Sequence, residues 1–142
     1  GVLATLVESL SEAAYGIEHR IILSISEQHA AAQLPLDIVA ISILKKAGFR
    51  FGITDLGCGN QGLGNLLETV VPHIVSLDVS LVRDIHLAPQ RRSYVSDILQ
   101  TSQRLGILVI SPGLTSASEA NTMADMGCDL FSGLLWGAPT SL

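Results

Sequence analysis

Gly57-Cys-Gly59-Asn-Gln-Gly62 has the glycine spacing of a turn that can carry phosphate. Such glycines let backbone amides approach a pyrophosphate at the amino end of a helix, and Asp78, at the next predicted strand end, lies where an acidic residue would hold a ribose hydroxyl. Taken bare, this is a dinucleotide-binding signature. Three details weaken it: Asp55 stands where such a strand is apolar, Gly64 breaks the following helix just inside its start, and that helix is short.

The other residues with chemical potential are scattered. Glu27 and Asp55 also fall at or near predicted strand ends, where carboxylates often cap the helix that follows, and Asp78 suits a cap or loop-holding role equally well. His19, His29, His73 and His86 share no motif spacing and read as surface or packing residues. Ser80 and Ser111 have no visible base, which argues against a hydrolase triad. Trp136 could stack on a nucleobase, with core packing the plainer reading. Cys58 and Cys128 form no C-x-x-C pair and read as buried, reduced thiols of a cytoplasmic protein.

Composition bounds what surrounds these residues. At 142 residues and 48% hydrophobic, the chain is one domain's worth with material for a core. Only 4% of residues are aromatic, so Leu, Ile, Val and Ala must build that core, which suits helices layered on buried parallel strands. The net charge of −5, without a basic run, argues against a nucleic-acid grip, and Arg91-Arg92 reads as a solvated helix start. The sequence shows neither a membrane-spanning apolar stretch nor a signal-peptide pattern, so a chain neither anchored nor exported by itself is expected.

Periodicity places an amphipathic helix over Gly1–Ala14, a strand over Arg20–Ser26 ending at Glu27, and a helix from Leu36 to Ala47. Phe49–Asp55 reads as a strand, Leu63–Thr69 as a short helix, Ile74–Asp78 as a strand and Gln90–Leu105 as a long helix stopped by Gly106. Ile107–Ile110 is a strand, Ser116–Met126 a helix with Ser116 as cap and Glu119 three residues on, and Asp129–Phe131 a last short strand. This alternation predicts parallel strands with right-handed crossovers. Five strands suffice for an open doubly wound sheet, whereas a closed β/α barrel needs eight.

Six segments in order weigh against the open sheet. Ile25-Ser-Glu27 resembles I-T-E of the EAL domain family, Lys46-Ala-Gly-Phe-Arg-Phe51 its A-L-G-V-R-x run, and Thr54-Asp-Leu-Gly-Cys-Gly59 its D-D-F-G-T-G. Val75-Ser-Leu-Asp-Val-Ser-Leu-Val-Arg-Asp-Ile85 resembles L-K-I-D-R-S-F-V-R-D-I, and Val109-Ile-Ser-Pro-Gly113 resembles V-V-A-E-G. Gly127-Cys-Asp-Leu-Phe-Ser-Gly-Leu-Leu-Trp-Gly-Ala-Pro139 resembles G-C-D-Y-V-Q-G-Y-L-F-G-R-P. The resemblance runs from about Ile21 to Pro139 and lacks the E-A-L-bearing strand. It implies that residues 1–142 form a single EAL-like domain, the carboxyl-terminal portion of a partial TIM-like (β/α) barrel with about five parallel strands.

The resemblance also implies a chemistry: hydrolysis of one phosphodiester of cyclic di-GMP by water activated between two Mg²⁺ or Mn²⁺ ions. Glu27 matches the ligand of I-T-E, and Asp55 the second Asp of D-D-F-G. The first Asp of that motif, which bridges the metals, falls on Thr54, the Lys of L-K-I-D on Ser76, the Glu of A-E-G on Pro112, and the late Gln on Ser132. Two metal ligands remain. The expectation is therefore a catalytically inactive, degenerate EAL-like domain in bacterial cyclic-di-GMP signalling, not an enzyme and without a cofactor. It would act through protein interaction, the favoured role, or as a cyclic-di-GMP receptor, with Glu27, Asp55, Gly57, Gly59 and Asp78 as the ligand-binding candidates. The alternatives are a working Mg- or Mn-dependent phosphodiesterase completed by an unseen segment, and the dinucleotide-binding open sheet. A partial barrel leaves apolar surface uncovered, so self-association, or pairing with an upstream domain of a longer protein, is also expected.

Overall fold

The computed structural model describes residues 22–27, 39, 41–57 and 63–133. The expected first helix over Gly1–Ala14, Cys58, Gly59 and Trp136 lie outside them. The described elements run β1 (Ile22–Ser26), α1 (residues 41–46), β2 (Arg50–Leu56), α2 (Leu63–Val70), β3 (Ile74–Leu77), α3 (Val79–Val82), a 3-10 turn (Ile85–Leu87), α4 (Pro89–Leu105), β4 (Leu108–Ser111), α5 (Ala117–Asp125) and β5 (Leu130–Phe131). Each expected strand is present among the described residues, with ends there moved by at most one residue.

The strands form one parallel sheet in the order β1-β2-β3-β4-β5. A doubly wound sheet reverses its strand order at a switch point, whereas a barrel adds every new strand on the same side. Strictly sequential order is therefore the arc of a β/α barrel. It decides what the strand count alone left open.

Register separates two faces. Leu23, Ile25, Phe51, Ile53, Val75, Leu77 and Val109 pack with Leu67, Val95, Ile98, Leu99 and Met123 of the helices in one continuous core. The other face carries Ile22, Ser24, Gly52, Ile74, Leu108 and Leu130 on paired neighbouring strands. Ile22, Leu108 and Leu130 are 47%, 49% and 42% exposed, so this inner face of the arc is uncovered by the described residues.

Helix ends follow local chemistry. Pro89 occupies the first turn of α4, where its missing N–H costs nothing, and Gly106 ends the helix at φ 73, a left-handed conformation that glycine adopts without strain. Ser116 caps α5 by accepting from the Glu119 N–H at 3.1 Å. The sequence reading lacks α3 and the 3-10 turn. Both are too short to show helical periodicity.

Candidate functional site

In a parallel sheet all carboxyl ends share one edge, and in β/α folds ligands bind there. Glu27, Gly57, Asp78, Pro112 and Ser132 follow the five strands at that edge. Of the expected candidates, Glu27, Gly57 and Asp78 thus come to one side of the molecule.

Glu27 is the most firmly placed of them. It is buried, and its Oε2 accepts from the Gly57 N–H at 3.2 Å, so the ends of β1 and β2 are tied through one carboxylate. Register pairs Ser26 with Thr54, which sets Glu27 beside the Thr54-Asp55 step. There the β2–β3 ladder shifts between Ile53 and Leu56. Ile53 and Leu56 both remain buried while Thr54 and Asp55 leave the helix-packed side together. Asp55 reaches this position at φ 54, a conformation that Asp tolerates better than most residues. The irregularity re-aims two side chains at the edge where they could meet a ligand.

Gly57 has φ 98, and a Cβ there would stand 2.2 Å from Leu81 Cδ1. The dihedral favours glycine, and any Cβ would oblige the Leu81 side chain to move. Asp78 caps α3: its Oδ2 accepts from the Ser80 N–H at 3.0 Å and from the Ser80 hydroxyl. One of its two carboxylate oxygens is thus engaged by α3. The capping reading of Asp78 is what the structure displays, while Glu27 bridges two strand ends.

One functional-edge residue escaped the sequence reading except as a capping partner. Glu119 is 1% exposed, accepting from the Asp84 N–H at 2.7 Å, the Thr115 N–H at 2.8 Å and the Thr115 hydroxyl at 3.0 Å. Burial alone would raise its pKa, but these donors and the nearby Arg83 hold it below the ordinary value. Its signal was present: Glu119 and Met123 are four apart on the buried stripe of α5, and a carboxylate on an apolar stripe needs partners.

Hard dications require several converging carboxylate oxygens. Among the described residues no three His, Cys, Asp or Glu side chains come together. Thr54 and Pro112 present a neutral hydroxyl and a hydrocarbon ring, and Glu27 already has one oxygen on Gly57. The described residues alone do not fit a pair of dications.

Comparison with known proteins supplies the deciding observation. The model of the EAL domain matches residues 2–139. The chain belongs to the EAL domain family. Among curated proteins it is similar to the cyclic di-GMP phosphodiesterase PdeR of Escherichia coli, 31% identical over 106 residues that cover 72% of this chain and 16% of PdeR. Among solved structures, this EAL chain is similar to Klebsiella pneumoniae BlrP1 in a calcium and cyclic-di-GMP complex, with a TM-score of 0.81, 27% identity, and coverage of 94% of this chain and 33% of BlrP1. The Xanthomonas citri FimX EAL domain, in complex with cyclic di-GMP, shares the fold at a TM-score of 0.84 and 20% identity, covering 97% of this chain and 55% of FimX. The chain spans between 12 and 24% of the length of the curated relatives it matches.

These likenesses correct one expectation. The substitutions at Thr54 and Pro112 pointed to a domain that is not an enzyme, yet the EAL chain is similar to structures of this kind held with cyclic di-GMP and a divalent cation. The physical reason is a matter of counting. A ligand tally over these 142 residues counts only the side chains they contain, whereas sites at the carboxyl edge of a β/α barrel draw their groups from several different strands.

Proposed function

We propose that this chain is the later portion of an EAL domain that binds cyclic di-GMP and hydrolyses one of its phosphodiester bonds once an upstream segment closes the barrel. The observation that carries the reading is the Glu27–Gly57 tie at the carboxyl edge, with Thr54 and Asp55 turned out beside it. Glu27 fixes Gly57 at the end of β2, and Asp55 adds a carboxylate at the same edge. The resemblance calls for Mg²⁺ or Mn²⁺; Glu27 and Asp55 would contribute to holding them together with residues of the upstream segment, in a site rebuilt around Thr54 and Pro112. Chain coverage supports this: almost all of this chain matches barely more than half of the FimX EAL domain chain.

The uncovered inner face, with Ile22, Leu108 and Leu130, is the surface that the upstream strands would seal. Burying it inside the closed barrel removes apolar area from water, the main favourable contribution to association. Among the described residues no helix is long and apolar enough to cross a membrane.

The test is turnover of cyclic di-GMP by the longest natural chain with Mn²⁺, followed as appearance of the linear dinucleotide. Turnover supports the proposal. Binding without turnover would reduce it to a receptor, and absence of both would favour protein interaction alone.

A further inference from the structure

Two loops at the carboxyl edge are joined by a closed ring of hydrogen bonds. Glu119 accepts from the Asp84 N–H through Oε2 and from the Thr115 N–H and hydroxyl through Oε1, at 2.7, 2.8 and 3.0 Å. The Thr115 Oγ1 accepts in turn from Arg83 Nη1 at 2.8 Å, and Arg83 precedes Asp84 in the chain. Asp84 sits at φ 53, a conformation a non-glycine residue keeps when its surroundings hold it there. The ring therefore fixes the segment after β3 to the segment after β4.

That segment after β3 is also wedged between two glycines. A Cβ at Gly57 would meet Leu81, and one at Gly113 would stand 3.1 Å from the Val79 methyls. Val79 and Leu81 thus pack against the loops that follow β4 and β2, and Glu119 fixes the far end of the same segment. An apolar side chain of similar size, such as Met, would fill the space without holding two backbone amides. A buried carboxylate that spends its acceptors on two different loops at the ligand edge sets their relative position.

We propose that Glu119 is a positioning residue that locks the loops after β3 and β4 into one rim around the cyclic-di-GMP site, so that the two open and close together. The assignment of the ligand rests on the function proposed above. The coupling itself rests on the ring.

The experiment compares Glu119→Gln, Thr115→Val and Met123→Ala in the longest natural chain. The amide of Glu119→Gln places an NH₂ against one of the donors, Thr115→Val removes only the hydroxyl, and Met123→Ala weakens the same helix without touching the ring. Calorimetry with cyclic di-GMP should show affinity lowered about tenfold by Glu119→Gln and about threefold by Thr115→Val, with Met123→Ala within about twofold of the parent. Amide exchange should show Asp84 and Thr115 losing protection together in Glu119→Gln and keeping it in Met123→Ala. Unchanged protection in Glu119→Gln, or an equal affinity loss in Met123→Ala, would overturn the proposal. Should the parent chain bind no cyclic di-GMP, the functional reading falls; joint loss of protection in Glu119→Gln then still upholds the coupling, and independent behaviour of the two amides overturns it.

Discussion

The Gly57 N–H donates to Glu27 Oε2 at 3.2 Å, so the ends of β1 and β2 meet on a buried carboxylate. Removing that acceptor leaves a backbone donor unsatisfied. Glu27→Ala should therefore cost about 1–3 kcal/mol in urea denaturation. Glu27→Gln keeps an oxygen for Gly57 and should cost less than about 1 kcal/mol while lowering Mn²⁺-supported turnover, which separates the carboxylate's charge from its structural bond.

Gly57→Ala meets two obstacles, a φ of 98 and Leu81 at 2.2 Å from the new Cβ. A loss of about 2–3 kcal/mol is expected, read as a lower denaturation midpoint with an unchanged slope. Adding Leu81→Ala should not restore full stability, because the dihedral penalty persists after the clash is relieved.

His73 makes stability depend on pH. Its Nδ1 accepts from the Phe51 backbone N–H at 3.1 Å, beside the backbone bond from the His73 N–H to the Phe51 carbonyl at 2.7 Å, and the ring nitrogen can accept only while it is unprotonated. Burial, then the positive charges of Lys45 and Arg50, hold its pKa below the ordinary 6.5. A depressed folded value means that the contribution is complete above the unfolded pKa and is lost as pH falls through the folded one. Urea midpoints should drop as pH falls below the ordinary value of 6.5, and His73→Ala should flatten that step.

Acid should weaken the protein again at lower pH through Glu119. Its folded pKa is also depressed, so its contribution is present above the unfolded value of 4.5 and disappears as pH falls through the folded one. Glu119→Gln should remove this second step and leave the His73 step in place. Ser116→Ala, which deletes only the α5 cap, should cost about 1 kcal/mol at every pH.

The strands were legible because β-branched runs such as Ile22–Ser26 and Ile74–Leu77 sit between polar punctuation, and the helices because Val95, Ile98 and Leu99 keep helical spacing. Strand order is not legible in periodicity, since pairing joins residues far apart in the chain; the resemblance implied a barrel arc, and the sequential order of the sheet bears it out. The short α3 leaves only a trace: Asp78 reads as a cap, but four helical residues give no period that marks what it caps. Glu119 was half foreseen. Its backbone N–H does bond to Ser116 Oγ, yet its carboxylate turns inward to Thr115 and Asp84, because the left-handed Asp84 brings an amide there that no local pattern announces.

The central claim is that the carboxyl edge beside Glu27 and Asp55 receives cyclic di-GMP. Crystals of the longest natural chain grown with Mn²⁺ and cyclic di-GMP test it directly. The dinucleotide is expected at that edge, with a cation contacting Glu27. A ligand bound elsewhere, or an edge that stays empty at saturating cyclic di-GMP, would contradict it.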